Sequence, residues 1–203
     1  MNKPAGKILV GLTGGFGTGK STVAHIFESH GASIVNADTL AHEALFKDSP
    51  VYAEIKKIFD VPEDKLGLDR KRIAEIIFRD PVRRKQLEAI VHPFVWARMV
   101  EEATDAESRV VVLEVPLLFE SGFDKFCDFV VTVSASQQEA VKRLLEKGFS
   151  VSEIEARTNA QLPLEEKIRR SKYKIENSGT LDATRREVEK VWKDLPLALK
   201  GEK

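Results

Sequence analysis

The sequence predicts an α/β fold: a five-stranded parallel sheet flanked by helices. Three observations carry this. Five short apolar runs recur along the 203 residues, and the first four are nearly continuous in Val, Ile and Leu, as strands buried on both faces of a parallel sheet are. Segments of helical periodicity lie between them. About seventy residues of mostly helical sequence separate the second and third runs, whereas a simple crossover needs about a dozen or more. The excess predicts a helical insertion on a βαβ core.

The strands are expected over Lys7–Thr13, Ala32–Asn36, Arg109–Glu114, Asp128–Val133 and Tyr173–Glu176. The first helix, Lys20–His30, stops at Gly31, a residue suited to the left-handed turn that ends a helix. Asp69 precedes RKRIAEIIF, where Ile73, Ile76 and Ile77 mark one apolar face. Pro81 opens PVRRKQLEAIV in the first turn of the next helix, where its missing N–H loses nothing. Pro93 is expected to begin a further helix, with His92 at the junction. Ser152 with Glu155 has capping-box spacing, and Thr180 is placed to cap the last helix, LDATRREVEKVW. The chain therefore divides into a core of residues 1–38, 106–143 and 173–203, a helical insertion at 39–105, and a charged stretch at 144–172. That stretch has few large apolar residues to anchor it, and is expected to be a mobile cover.

Hydrophobic residues make up 42% and charged residues 32%, the balance of a globular rather than a disordered chain. Lys plus Arg and Asp plus Glu both number 32, so zero net charge argues against nonspecific binding to nucleic acid or an anionic membrane. Cys127 is the single cysteine, so no intrachain disulfide forms, which suits a reducing compartment. The N-terminal apolar run is broken by Gly11 and Thr13, too early for a signal peptide or a membrane span. A cytoplasmic protein is expected.

Between the first strand and the first helix, Gly14-Gly15-Phe16-Gly17-Thr18-Gly19-Lys20-Ser21 fits G-x-x-x-x-G-K-[ST] at every fixed position. Glycines let the backbone curl so that successive N–H groups face phosphate oxygens, and the helix N-terminus adds partial positive charge. In this P-loop, Lys20 is expected at the β- and γ-phosphates and the Ser21 hydroxyl on Mg²⁺. Gly15, Gly17, Thr18, Gly19, Lys20, Ser21 and Thr22 are the expected ATP contacts. A small-molecule kinase, a GTPase-type switch and a motor ATPase all bind triphosphates. None of Asn2, Asn36, Asn159 and Asn177 starts an N-K-x-D guanine signature. The insertion and the charged cover are placed to supply what a kinase needs, a second pocket and a lid against water.

Asp38 lies just past the second strand, in NADTLAHEAL, at the edge where open α/β sheets place ligands. Position alone leaves two roles open: a carboxylate that accepts the proton of an attacking hydroxyl, or the N-cap of the following helix.

GLTGGFGTGKSTVA, NADTLAHEAL, VHPFV, VPLLFESG, NAQLPLEEK and ENSG occur in the order and approximate spacing of dephospho-coenzyme A kinases. The chain resembles that family from residue 8 to about 180. The P-loop is shared with many NTPases, while PLLFE and Q-x-P-x-E-E-K are narrower signals. The resemblance implies a P-loop NTPase core, a helical acceptor-binding insertion and a lid. It implies ATP-dependent, Mg²⁺-assisted phosphorylation of the ribose 3′-hydroxyl of dephospho-coenzyme A, with these small molecules as the only expected partners.

The family's D-A-D motif falls on Asn36-Ala37-Asp38. It keeps the acid that the resemblance makes a base or metal-linked carboxylate, Asp38, and replaces the first acid by Asn36. His42, where the family commonly has Arg or His, is either a substrate contact or an exposed helix histidine. His92-Pro93 matches the family's H-P pair, with the same two readings for His92. Glu114 ends the third strand, where P-loop proteins often hold Mg²⁺ through water, although the family more usually has Asp there. Pro116, Leu117, Leu118 and Phe119 are expected to pack, and Glu120 to face solvent or substrate. Arg143 matches the first arginine of the family's lid segment, and its charge suits the transferring phosphoryl group. Lys147 replaces a second arginine and lacks its bidentate fork; a solvated face of an amphipathic helix is the other reading of both, and the favoured one for Lys147. Arg157 is a further substrate-binding candidate in the lid. Gln161 and Lys167 match the Q-x-P-x-E-E-K motif, which charge pairing within the lid also explains. RKR at 70–72 and RRK at 83–85 read as solvated helix faces.

Overall fold

In the computed structural model, which describes residues 3–198, the element order is β1 (Ile8–Gly14), α1 (Lys20–Ser29), β2 (Ser33–Asn36), α2 (Ala37–Glu43), α3 (Tyr52–Ile58), α4 (Arg70–Arg79), α5 (Pro81–Asp105), β3 (Val110–Glu114), β4 (Phe129–Ser134), α6 (Gln137–Glu146), α7 (Val151–Asn159), α8 (Leu164–Arg170), β5 (Tyr173–Glu176) and α9 (Leu181–Ala198). A short 3-10 turn, Phe123–Phe126, precedes β4. The sheet order is β2-β3-β1-β4-β5. β1 runs parallel to both β3 and β4, and β4 parallel to β5. Strand ends fall within one residue of the sequence expectation.

The central strand β1 is buried at every residue, which is why its sequence is continuously apolar rather than alternating. On one face Ile8, Val10 and Leu12 meet Val23, Ile26 and Phe27 of α1 and Val188, Val191 and Leu195 of α9. The opposite face is covered near Gly11 by Leu118 and Cys127, and α8 packs on β1 and β4. Burial pushes the Cys127 thiol up to about 12.

The described residues form two compact units, one from the residues up to 35 together with those from 103 on, the other from residues 36–102. The second has its own core, in which Leu45, Ile55, Phe59, Leu68, Ile73, Ile90 and Phe94 are buried. Asp69 caps α4 as its position suggests, its carboxylate accepting from the Lys71 and Arg72 amides at 2.9 and 3.2 Å.

Two local expectations are corrected. Pro93 does not begin a helix: α5 runs unbroken from Pro81 to Asp105 with Pro93 inside it. Proline removes the N–H that would meet the Ala89 carbonyl, but Ala89, His92 and Pro93 all face solvent, so water can serve that carbonyl. Ile90, Val91, Phe94 and Met99 are meanwhile buried, and this packing carries the helix through. The capping box of α7 is Ser150 with Glu153, not Ser152 with Glu155: Ser150 Oγ accepts from the Glu153 amide at 3.3 Å, and the Ser150 amide donates to the Glu153 carboxylate at 2.9 Å. Both pairs have the required spacing, and the earlier one starts the helix in time to bury Ile154.

Candidate active site

β1 ends at Gly14, where a side chain would collide with the Val133 carbonyl of β4. The chain then folds over itself, with the Thr18 hydroxyl donating to the Gly15 carbonyl at 3.0 Å and the buried Thr18 amide reaching the same atom at 3.4 Å. Gly19 is the N-cap of α1, at φ 86° and ψ 36°, a left-handed conformation that favours glycine. The first turn of α1 carries no acidic side chain of its own. Lys20 folds back, its ammonium 3.1 Å from the Gly15 carbonyl. Ser21 donates to the Glu114 carboxylate at 2.9 Å, and Thr22 is exposed beside it. Glu114 is 6% exposed at the end of β3.

α6 lies against this loop, since a side chain at Gly17 would strike the Ala140 carbonyl and Leu144. That packing brings Arg143 to the loop, where its Nη1 would lie 3.5 Å from a Cβ on Gly19. Arg143 Nη2 donates to the Asn177 carbonyl at 2.7 Å. Nη1 is buried and has no hydrogen-bond partner among the described residues. Lys147 is the C-cap of α6 and is exposed.

Arg157 of α7 is engaged by rings. Its guanidinium lies 5.3 Å from the Phe16 ring centre and 4.9 Å from that of Phe149, and the two rings meet edge to face at 5.2 Å. Phe16 is a variable position of the P-loop motif, so this cluster ties α7 directly to the loop.

The expected cover is not uniformly free of the core. Lys167 of α8 is completely buried, and its ammonium donates to the Pro116 carbonyl at 2.7 Å and lies 3.1 Å from the Glu120 carboxylate. Pro116 also accepts from the Thr13 hydroxyl of β1 at 3.1 Å, and Glu120 from the Leu162 amide at 2.7 Å. Gln161 adds a contact at 3.5 Å. Burial lowers the Lys167 pKa from the ordinary lysine value, against the opposing pull of Glu120. Glu120 is exposed, as expected, and also takes part in this network.

In the second unit, Asn36 rather than Asp38 is the N-cap of α2. Its Oδ1 accepts from the Asp38 amide at 2.9 Å and the Thr39 amide at 3.1 Å, and an asparagine carbonyl oxygen can do this without carrying charge. The N-cap alternative for Asp38 is thereby excluded, and its carboxylate is left exposed in the first turn. His42 is half-buried and packs edge to face on Phe46 at 5.1 Å. His92 is exposed in the middle of α5.

Sequence reasoning passed over Asn177, Phe16 and Phe149 as individual residues. Asn177 carried a signal: a polar residue directly after a strand and before a helix, at the sheet edge that holds the P-loop. Phe16 carried none beyond its place in a loop otherwise rich in glycine.

A parallel sheet whose central strand opens into a phosphate-binding loop, with an arginine from a later helix facing that loop, defines the class of P-loop kinases. The family model for dephospho-CoA kinase (CoaE) matches residues 8–183. A dephospho-CoA kinase of Symbiobacterium thermophilum is 42% identical over 91% of this chain and 80% of its own length. Among solved structures, TT1252 from Thermus thermophilus superposes with a TM-score of 0.81 at 38% identity, covering 93% of this chain and 98% of the other. Dephospho-CoA kinase from Campylobacter jejuni follows with a TM-score of 0.69 at 27% identity over 92% and 96% of the two chains. The chain belongs to the dephospho-CoA kinase family.

Proposed function

We propose that this chain transfers the γ-phosphoryl group of ATP to the ribose 3′-hydroxyl of dephospho-coenzyme A, releasing ADP and coenzyme A, and works in the cytoplasm. The observation that carries the reading is Arg143. A buried guanidinium nitrogen without a partner costs about 1–3 kcal/mol or more, and this one lies against the P-loop at Gly19. An anion on the loop completes it.

In this reading the amides of Gly15 to Thr22 and the N-terminus of α1 hold the phosphates. Lys20 leaves the Gly15 carbonyl for the β- and γ-phosphates. Asp38 accepts the proton of the 3′-hydroxyl as that oxygen attacks phosphorus and the bond to the β-phosphate oxygen breaks. Arg143 binds the charge that spreads over the transferring group. The insertion at 39–105 holds the acceptor, with His42 and His92 as candidate contacts, and the stretch at 144–172 supplies the lid.

The donor chemistry fits Mg²⁺. Ser21 and Glu114 bring a hydroxyl and a carboxylate to 2.9 Å of each other, and hard oxygen donors that leave room for phosphate and water suit this ion. Ser21 would bind it directly and Glu114 through water; when bound, the ion neutralises charge between the β- and γ-phosphates.

Phosphorylation of a panel of acceptors tests the reading. Dephospho-coenzyme A is expected to be turned over far faster than AMP or adenosine. Equal activity on AMP would overturn the acceptor assignment, and ATP hydrolysis without a phosphorylated acceptor would overturn the transferase.

A further inference from the structure

We propose that Asn177 is a positioning residue: its side chain fixes the triphosphate-binding face of the P-loop while its main chain aims Arg143 at the same place. The inference rests on the reading that the loop holds a triphosphate.

Asn177 follows β5 and is 6% exposed. Each of its four polar groups is used. Its amide N–H donates to the Ser134 carbonyl at 2.8 Å, which continues the ladder between β4 and β5. Its carbonyl accepts from Arg143 Nη2 at 2.7 Å. Its Nδ2 donates to the Thr18 carbonyl at 2.8 Å, and its Oδ1 accepts from the Thr184 hydroxyl of α9 at 2.8 Å. The orientation of the side-chain amide follows from these partners. The Thr18 carbonyl can only accept, so a reversed amide would set two acceptors against each other.

Holding the Thr18 carbonyl has a consequence for the next amide. In a trans peptide the C=O and the following N–H point in opposite directions. With the Thr18 carbonyl turned onto Asn177, the Gly19 N–H is turned away from it, and the peptide plane cannot rotate without breaking a buried hydrogen bond. The Asn177 amide also fills the space that a Cβ on Gly19 would take. Glycine at 19 and asparagine at 177 are therefore a matched pair, 158 positions apart in the chain. Thr184, fully buried on α9, holds the amide from behind.

The other arm uses the main chain. Arg143 is gripped at Nη2 by the Asn177 carbonyl, while Nη1 lies toward Gly19. One residue at the β5–α9 junction thus sets the loop and the arginine in register. No ligand contact by Asn177 itself is needed for this.

The test compares Asn177→Leu with Thr184→Val, reading the Kd for a non-hydrolysable ATP analogue, kcat, the KM for dephospho-coenzyme A, and Tm. Asn177→Leu removes the donor to Thr18 without adding charge. Nucleotide Kd is expected to rise about tenfold, the scale of one buried hydrogen bond, with the acceptor KM within about twofold. Thr184→Val keeps the Thr18 bond, so it lowers Tm while nucleotide Kd stays within about threefold. If Asn177→Leu does not fold, Asn177→Ala removes the same donor without a larger side chain, and its nucleotide Kd is expected to rise on the same scale. Unchanged nucleotide affinity in a folded Asn177 variant would overturn the proposal. So would an equal loss in Thr184→Val. A wild-type chain that binds no ATP would instead overturn the functional reading on which the proposal stands.

Discussion

The Ser21 hydroxyl donates to the Glu114 carboxylate at 2.9 Å, joining the first turn of α1 to the C-terminal end of β3. A nearly buried carboxylate needs partners that compensate for lost water, and a bond from a hydroxyl that is itself a candidate metal ligand ties both residues to one site. Glu114→Gln keeps the shape and removes the charge. Activity at limiting Mg²⁺ is expected to fall about 10- to 100-fold, as for groups that orient metal ligands, with partial recovery at saturating Mg²⁺. A Mg²⁺ titration of initial rates checks this; an unshifted curve would leave Glu114 a packing residue.

Lys20→Ala and Asp38→Asn are both expected to abolish most phosphoryl transfer, at different steps. Lys20→Ala takes a charge from the phosphates, so nucleotide binding or alignment suffers. Asp38→Asn is close to isosteric, and because Asn36 caps α2, the cap survives. ATP affinity and Tm are therefore expected to stay near wild type while the chemical step falls about 10²-fold or more for a lost general base. Single-turnover rates beside equilibrium binding separate the two, and wild-type turnover in Asp38→Asn would remove it from the mechanism.

What was legible in the sequence follows from which forces act locally. β1, β3 and β4 are wholly buried, so their apolar runs announce them, and the P-loop is legible because a phosphate cradle demands particular residues at fixed spacing. Residues that depend on distant partners were not. Asn177 meets Thr18 across 159 positions, and no local pattern encodes that. Lys167 read as a charge in a polar cover because a buried lysine is rare, and the carbonyl of Pro116, the carboxylate of Glu120 and the side-chain oxygen of Gln161 make it tolerable. Pro93 was misread because its helix is held by the burial of Ile90, Val91 and Phe94, which overrides the local preference of proline.

Lys167 makes stability depend on pH in a defined direction. Burial lowers its pKa in the folded chain below the ordinary 10.5, so over the interval between the two values the unfolded chain binds more protons. Unfolding free energy then rises with pH through that interval; the contribution is complete above 10.5 and lost below the folded value. Lys167→Met removes this dependence. Urea unfolding from about pH 7 to about pH 10 is expected to give a steeper upward trend for wild type than for the variant. Parallel trends would show that the ammonium is as easily charged in the fold as in water.

The lid prediction separates a kinase from a nucleotide-binding switch, and Lys167 makes it sharper. A kinase must keep water off the γ-phosphate until the acceptor arrives. Within 144–172, α8 is fastened by the buried Lys167 and by the Thr132 hydroxyl of β4, which donates to the Lys167 carbonyl at 3.3 Å. α7 has one buried residue, Ile154, and the Arg157 contact with Phe16 and Phe149. Its amides are therefore expected to exchange faster than those of α8 in the free protein. Hydrogen exchange with an ATP analogue, with dephospho-coenzyme A, and with both is expected to slow α7 most in the presence of both. Phe149→Ala, which removes one of the two rings under Arg157, is expected to speed α7 exchange without altering α8. Protection set by nucleotide alone, together with steady ATP hydrolysis and no phosphorylated acceptor, would exclude a kinase lid and favour a switch.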